Sequence, residues 1–174
     1  MTVARSADIV YIPILIVMEP IEIKADLIPY ADEYAETIHS WIDSEETFKF
    51  VTRGVGFPPS VEVAKTWQRE GMSSYMLLSN QKPIAYGELW TRPNELAIEI
   101  AHVIVDKAHR GEGYGVKLIK LLYDRVVARG DVIKVTSVVH HENDSALSCF
   151  VKAGFDLAGT TKFTKSLKMI RLIK

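Results

Sequence analysis

Arg110-Gly111-Glu112-Gly113-Tyr114-Gly115 lies between an apolar strand-like segment and a helix-like one, and that placement decides the fold. Upstream, Leu96 to Val105 is almost continuously apolar and rich in Ile and Val, as a strand covered on both faces would be. Downstream, Val116, Ile119, Leu122, Tyr123 and Val126 recur at helical spacing, with Lys117, Lys120, Asp124 and Arg125 on the other face. A glycine-rich turn opening such a helix presents backbone N–H groups at the positive end of the helix dipole, which suits a pyrophosphate.

Spacing separates the glycine-loop chemistries. A Walker loop needs Lys-Ser or Lys-Thr after its last glycine, and Val116-Lys117 stands there instead. A dinucleotide fingerprint needs G-x-G-x-x-G near a domain start and an acidic residue about 20 positions on. Here the pattern is G-x-G-x-G past the middle of the chain, which disfavours a nucleotide-binding oxidoreductase. Arg110, Gly113 and Gly115 instead occupy the defining positions of Arg/Gln-x-x-Gly-x-Gly/Ala, and the loop resembles the acetyl-CoA loop of the GNAT superfamily of N-acetyltransferases.

The resemblance runs from about residue 84 to residue 157. Val103-Ile104-Val105-Asp106 is similar to the end of the family's fourth strand, and Asn143 to Phe155 is similar to its N-x-x-A-x-x-x-Y-x-K-x-G-F segment. This implies an α/β fold with a mixed, largely antiparallel central sheet and helices on both faces. It implies acetyl-CoA as cosubstrate, held by the backbone of Val103 and Val105, by the turn Arg110, Gly111, Glu112, Gly113, Tyr114, Gly115 and Val116, and by Asn143 and Phe150. Phe150 stands where the family has a tyrosine credited with protonating the departing sulfur, and phenylalanine has no proton to give. A thiol with a pKa near ~8.5 leaves tolerably as thiolate, so two functions stay open: an N-acyltransferase working by direct attack, and an acyl-CoA-binding regulatory or interaction module with little turnover.

Composition narrows the classes further. One domain fits 174 residues, and 21 basic against 22 acidic residues give a net charge of -1 with no block of like charge, which argues against broad nucleic-acid binding. Cys149 is the only cysteine, so no internal disulfide can form and a reducing cytoplasm suits the chain; its apolar neighbours read as a buried thiol. No cluster of Cys, His and carboxylates has metal-ligand spacing, so no metal is expected. The apolar run Ile9 to Val17 is too short to span a bilayer. Residues 1–17 therefore read as an extension before a single domain at 18–174, with three candidate origins: a start placed too early ahead of Met18, an added edge strand, or a homodimer contact.

The resemblance implies a first strand at Pro20 to Lys24, and along the chain Asp26 reads as the cap of a helix from Leu27 to Trp41. Asp43 to Pro59 reads as a short helix and a loop, and Ser60 as the cap of a helix from Val61 to Arg69 ended by Gly71. Ser73 to Ser79 and Ile84 to Trp90 form a hairpin around Asn80-Gln81-Lys82-Pro83, and Arg92 to Glu95 form a second turn. Val132 to Val139 is the next strand, Asn143 or Asp144 caps a helix ended by Gly154, and the tail makes two strands around Gly159-Thr160.

For the chemistry, an alkyl amine with a pKa near ~10 must lose a proton before it attacks. Glu99 is the lone carboxylate of an apolar strand, and a desolvated carboxylate is a useful base. The family also places a catalytic glutamate at this strand position. His102, three residues on, falls on the opposite face of a regular pleat, although the family's strand commonly bulges there. Asn143 reads as helix cap and cofactor contact together, Arg110 as a phosphate partner, and Lys152 as solvated. The resemblance implies an acceptor site, for a small-molecule or peptide amine, near Asp43, Glu45, Glu46, Phe48, Phe50 and Phe163.

Overall fold

The computed structural model describes residues 23–52 and 57–174. Seven strands form one sheet in the order β1-β2-β3-β4-β5-β7-β6: β1 Asp26–Pro29, β2 Met72–Ser79, β3 Lys82–Arg92, β4 Ala97–Val105, β5 Lys134–Val139, β6 Asp156–Thr160 and β7 Leu167–Leu172. Every neighbouring pair is antiparallel except β4 with β5. That parallel step needs a crossover, and helix α4, Tyr114–Val127, supplies it. The remaining helices are α1 Ala35–Trp41, α2 Glu45–Thr52, α3 Val63–Thr66 and α5 Asp144–Lys152.

Strand alternation sorts side chains into two cores. Ala85, Leu89, Ile98 and Ile100 pack with Leu118, Ile119, Leu122 and Val126 of α4 and with Phe150 of α5. Met76, Tyr86 and Ile104 face the other way, onto Ile38 and Trp41 of α1, Phe48 of α2 and Ala64 of α3. Gly87 lets α4 lie close to the sheet, since a Cβ there would meet Leu122 Cδ1 at 3.0 Å.

Two irregularities of β4 make the site. Its ladder to β5 runs only from Ala97↔Lys134 to Ile100↔Ser137, although β4 continues to Val105, so the two strands part. The Ser137 hydroxyl donates to the Ile100 carbonyl at 2.8 Å at the last paired step. On the β3 side, Tyr86 pairs with Ile104 but Glu88 with Ala101, so β4 carries one extra residue, a bulge, where His102 adopts φ +47°.

The sequence misplaces several elements. Residues 26–29 form an edge strand on β2, extended by Tyr30 N–H to the Ser74 carbonyl (2.8 Å), and α1 starts only at Ala35. The open edge of β2 outcompetes a local helix, and Pro29 is tolerated because edge positions need no donor from it. Ile23 and Lys24 are not strand, while Pro20 to Glu22 and residues 1–17 lie outside the described residues. The second expected helix shrinks to Val63–Thr66; Gln68 bends back so that its Nε2 donates to the Ala64 carbonyl and the Tyr86 hydroxyl. Asn80 and Gln81, both at positive φ, form the whole hairpin turn, and β3 begins at Lys82. Gly159 (φ +122°) sits at a register shift within β6 and is not the turn; residues 161–166 are, closed by Thr161, Thr164 and Ser166 hydroxyls.

Candidate active site

The parting of β4 from β5 opens a cleft of about 620 Å³ between β4, the glycine turn with α4, and the start of α5. Its floor is Val103, Ile104 and Val105, beyond the last β4–β5 pairing. The first hydrogen bond closing α4 runs from Lys117 N–H to the Gly113 carbonyl (3.0 Å), and no side chain caps Gly113. The amides ahead of it are thus the donors that an anionic ligand can use. Gly113 is required on conformational grounds, at φ +91° and with Ile23 Cδ1 3.0 Å from where a Cβ would stand. Gly115 is required by packing: its Cβ would meet Cys149 Sγ at 3.1 Å, so it seats α4 against α5.

A smaller cavity of about 70 Å³ adjoins this cleft, and the two share Phe50, Val51, Val103, Asn143, Ala146 and Phe150 as lining. Glu99, Trp90, His102, Ser137, His140 and Lys49 also line the smaller one. Glu99 is almost buried at 7% exposure, and Arg92 donates to its Oε2 through both Nε (2.9 Å) and Nη2 (2.8 Å). The same guanidinium lies over the Trp90 ring at 5.2 Å. Glu99 is therefore not a lone carboxylate but one oriented by a charged fork. A second carboxylate, Glu88, is fully buried and accepts from the Tyr86 hydroxyl and from Trp90 Nε1, each at 2.5 Å. Tyr86 is held as phenol, its pKa driven far up by burial and by Glu88.

The β4 bulge overturns strict alternation at His102. Its ring lies on the face of Glu88 and Trp90, between Trp67 (centroids 4.3 Å apart) and Trp90 (5.0 Å, edge-on). Nδ1 sits 3.0 Å from Glu88 Oε1, too oblique for a hydrogen bond.

At the mouth, Lys49 of α2 pairs with Glu142 (2.7 Å), and the Phe50 ring meets His140 at 5.3 Å. His140 Nδ1 accepts from Glu142 N–H (3.2 Å), and the ring stacks on His141. Burial first, and then Lys49 and His141, hold the His140 pKa below the usual imidazole range. An NMR titration should find its midpoint below about 6.5. Lys49→Met should raise it, by removing a neighbouring cation and releasing Glu142; an unchanged midpoint would contradict this electrostatic reading.

Of the cofactor residues expected from sequence, Val103, Val105, Arg110, Gly111, Gly113, Tyr114, Gly115, Val116, Asn143 and Phe150 all line the large cleft; Glu112 does not. Arg110 is turned differently from expectation, since its guanidinium donates to the Val105 and Trp41 carbonyls (3.2 and 3.1 Å) and lies 3.8 Å from Asp43. It ties the turn to α1. Asn143 caps α5, its Oδ1 accepting from Ala146 N–H at 3.0 Å, which leaves its amide NH₂ for the cleft. Phe150 is buried and edge-on to Phe155 (5.2 Å). Lys152 lines the cleft, and burial pushes the half-buried Cys149 thiol up, with Lys152 opposing.

The expected acceptor residues scatter. Phe48 is core, Phe163 is 96% exposed, and Asp43 pairs with Lys107 at 2.9 Å, which holds its carboxyl below the usual range. Of the three phenylalanines expected there, Phe50 alone lines both cavities, and Glu46 lines the large one. Sequence reading missed Arg92, Glu88 and the two tryptophans. The alternation Tyr86-x-Glu88-x-Trp90-x-Arg92, folded back by the Pro93–Glu95 turn, was the available signal.

The described sheet is split at its one parallel step, with a glycine turn and a helix start at the split and a small cavity lined by Glu99, His102 and Ser137 beside it. A profile of the acetyltransferase (GNAT) family matches residues 35–155, and the chain belongs to that family. It is 21% identical over 158 residues to an N-acetyltransferase 9-like protein of Nematostella vectensis, covering 82% of this chain and 80% of that one. It is 24% identical over 103 residues to an aminoglycoside N(6')-acetyltransferase type 1 of Klebsiella pneumoniae, covering 53% and 51%. Among solved structures, AAC(6')-Ib with paromomycin and acetyl-CoA aligns with TM-score 0.72 and 18% identity, covering 85% of this chain and 93% of that one. Spermidine N-acetyltransferase from Vibrio cholerae, with CoA and spermine, aligns with TM-score 0.71 and 16% identity, covering 86% and 95%. At these identities the structural likeness is one of fold.

Among the described residues, no helix is long and apolar enough to cross a membrane, and no three His, Cys, Asp or Glu side chains group to hold a metal ion.

Proposed function

We propose that this chain is an acetyl-CoA-dependent N-acetyltransferase that acetylates a primary amine by direct attack, with Glu99 as proton acceptor. One observation carries the proposal: the cavity containing Glu99 adjoins the cleft of the glycine turn and shares Phe50, Val51, Val103, Asn143, Ala146 and Phe150 with it. The cleft suits acetyl-CoA. The amides of Gly111 and of residues 113–116 would face the pyrophosphate, the edge of β4 that β5 leaves at Val103 and Val105 would meet the pantetheine arm, and Asn143 and Phe150 would flank the thioester end. When bound, acetyl-CoA supplies an activated acyl group; the protein holds the amine beside it, excludes water and removes a proton. The Arg92 fork fixes the Glu99 carboxylate, and the amine approaches through the small cavity. The structural neighbours solved with spermine and aminoglycosides support an amine as acceptor. The lone Cys149 suits a cytoplasmic setting.

Thiol release from acetyl-CoA across spermidine, kanamycin, amino acids and lysine peptides tests this, with the product identified by mass. Amine-dependent release supports it. Saturable CoA binding without release on any amine would favour an acyl-CoA-binding module, the reading that Phe150 motivates.

The domain itself is proposed to span residues 18–174. A chain starting at Met18 should keep CoA affinity and turnover. Lost solubility, or a changed mass in light scattering, would make residues 1–17 an edge strand or a homodimer contact.

A further inference from the structure

We infer that His102, backed by Glu88, is a proton shuttle that takes the second proton of the attacking amine and returns it to the departing sulfur. This rests on the acetyltransferase reading. An ammonium substrate has three protons on nitrogen, and its amide product has one. Glu99 accounts for the first proton lost. The second must leave as the C–N bond forms, and the departing sulfur needs one proton as the C–S bond breaks. Phe150, at the junction of the two cavities, has none to give. A single group that accepts from nitrogen and donates to sulfur closes the balance, and the proton on Glu99 returns to solvent.

Among the side chains lining the small cavity, only an imidazole both takes and gives a proton readily near neutral pH. Two are present, and their surroundings separate them. His140 Nδ1 already accepts from Glu142 N–H, so its neutral ring carries the proton on Nε2 and cannot accept there. His102 Nδ1 is buried 3.0 Å from Glu88 Oε1 without an aligned hydrogen bond, so the negative charge of the carboxylate is what favours the proton on Nδ1, and the ring, which lines the cavity, would then carry its lone pair on Nε2. Glu88 is in turn fixed by Tyr86 and Trp90, and the ring is clamped between Trp67 and Trp90. The left-handed backbone at His102, φ +47°, is one that a non-glycine residue adopts only under strain. That strain delivers the ring to this face. Glu88 acts as a positioning residue, and the other charged side chains lining the cavity are Glu99, which Arg92 holds, and Lys49.

The test uses His102→Gly, which suits the observed φ and leaves a ring-sized gap between the tryptophans. With acetyl-CoA and spermidine, kanamycin or butylamine as acceptors, kcat should fall on the order of 10²-fold with KM for acetyl-CoA little changed. Imidazole in the buffer should restore at least about tenfold, and pyrazole, equal in shape but a far weaker base, should not. Nitrogen-15 NMR of the free protein should show neutral His102 protonated on Nδ1, with that preference lost in Glu88→Gln. Undiminished kcat, equal rescue by pyrazole, or a proton resident on Nε2 would each overturn the shuttle. Wild-type protein that releases no thiol with any of the three amines would instead overturn the acetyltransferase reading, and the shuttle with it.

Discussion

Glu99→Gln is expected to lower kcat/KM for the amine by on the order of 10² to 10⁴, the range for losing a general base. The substitution is close to isosteric. The glutamine carbonyl can still accept from Arg92, so the fork across β3 and β4 survives while the proton acceptor is lost. CoA affinity should barely change, because Glu99 lines only the small cavity. The deficit should shrink as pH rises toward about 10, where the amine is already neutral. A wild-type rate across pH would make Glu99 structural, a partner that only anchors Arg92.

Gly113→Val is expected to weaken CoA binding by about tenfold to a hundredfold, measured by calorimetry. The residue sits at φ +91° ahead of the first α4 hydrogen bond, so a β-branched side chain must rotate the amides that face the ligand. Losing one or two hydrogen bonds to a charged ligand, at roughly 1.5 to 3 kcal/mol each, gives that range or more. Gly111→Ala is the comparator: it too is at positive φ (+86°), but its Cβ would meet nothing within 4 Å. Its effect should be smaller. A folded Gly113→Val protein with unchanged CoA affinity would contradict the cradle.

The glycine turn was legible because its chemistry is local: a buried strand, three glycines at fixed spacing and an amphipathic helix are all adjacent in sequence. The cap at Asn143 and the helix stop at Gly154 (φ +87°) were legible for the same reason. What escaped depends on strands meeting. Residues 26–29 are a strand only because β2 offers an open edge, and no local propensity records that edge. Glu99 looked solitary because Arg92 lies on the far side of a turn, although the register sets Trp90 opposite Glu99. Glu88 was passed over within the strand Ile84 to Trp90, yet it is fully buried and satisfied by Tyr86 and Trp90. His102 was placed on the wrong face by alternation, and one extra residue in β4 reversed it. Arg110 was read from its motif position as a phosphate partner, while its contacts with the Trp41 and Val105 carbonyls use it as a tie.

The central claim is that the split between β4 and β5 is the acetyl-CoA site and feeds the cavity of Glu99. Titrating CoA into the protein while following backbone amide NMR signals tests it most directly. Saturable shifts should cluster at residues 103–105, 111–116 and 143–146, with the β1 and β6 edges unmoved. Absence of saturable binding, or shifts gathered away from those three segments, would contradict it.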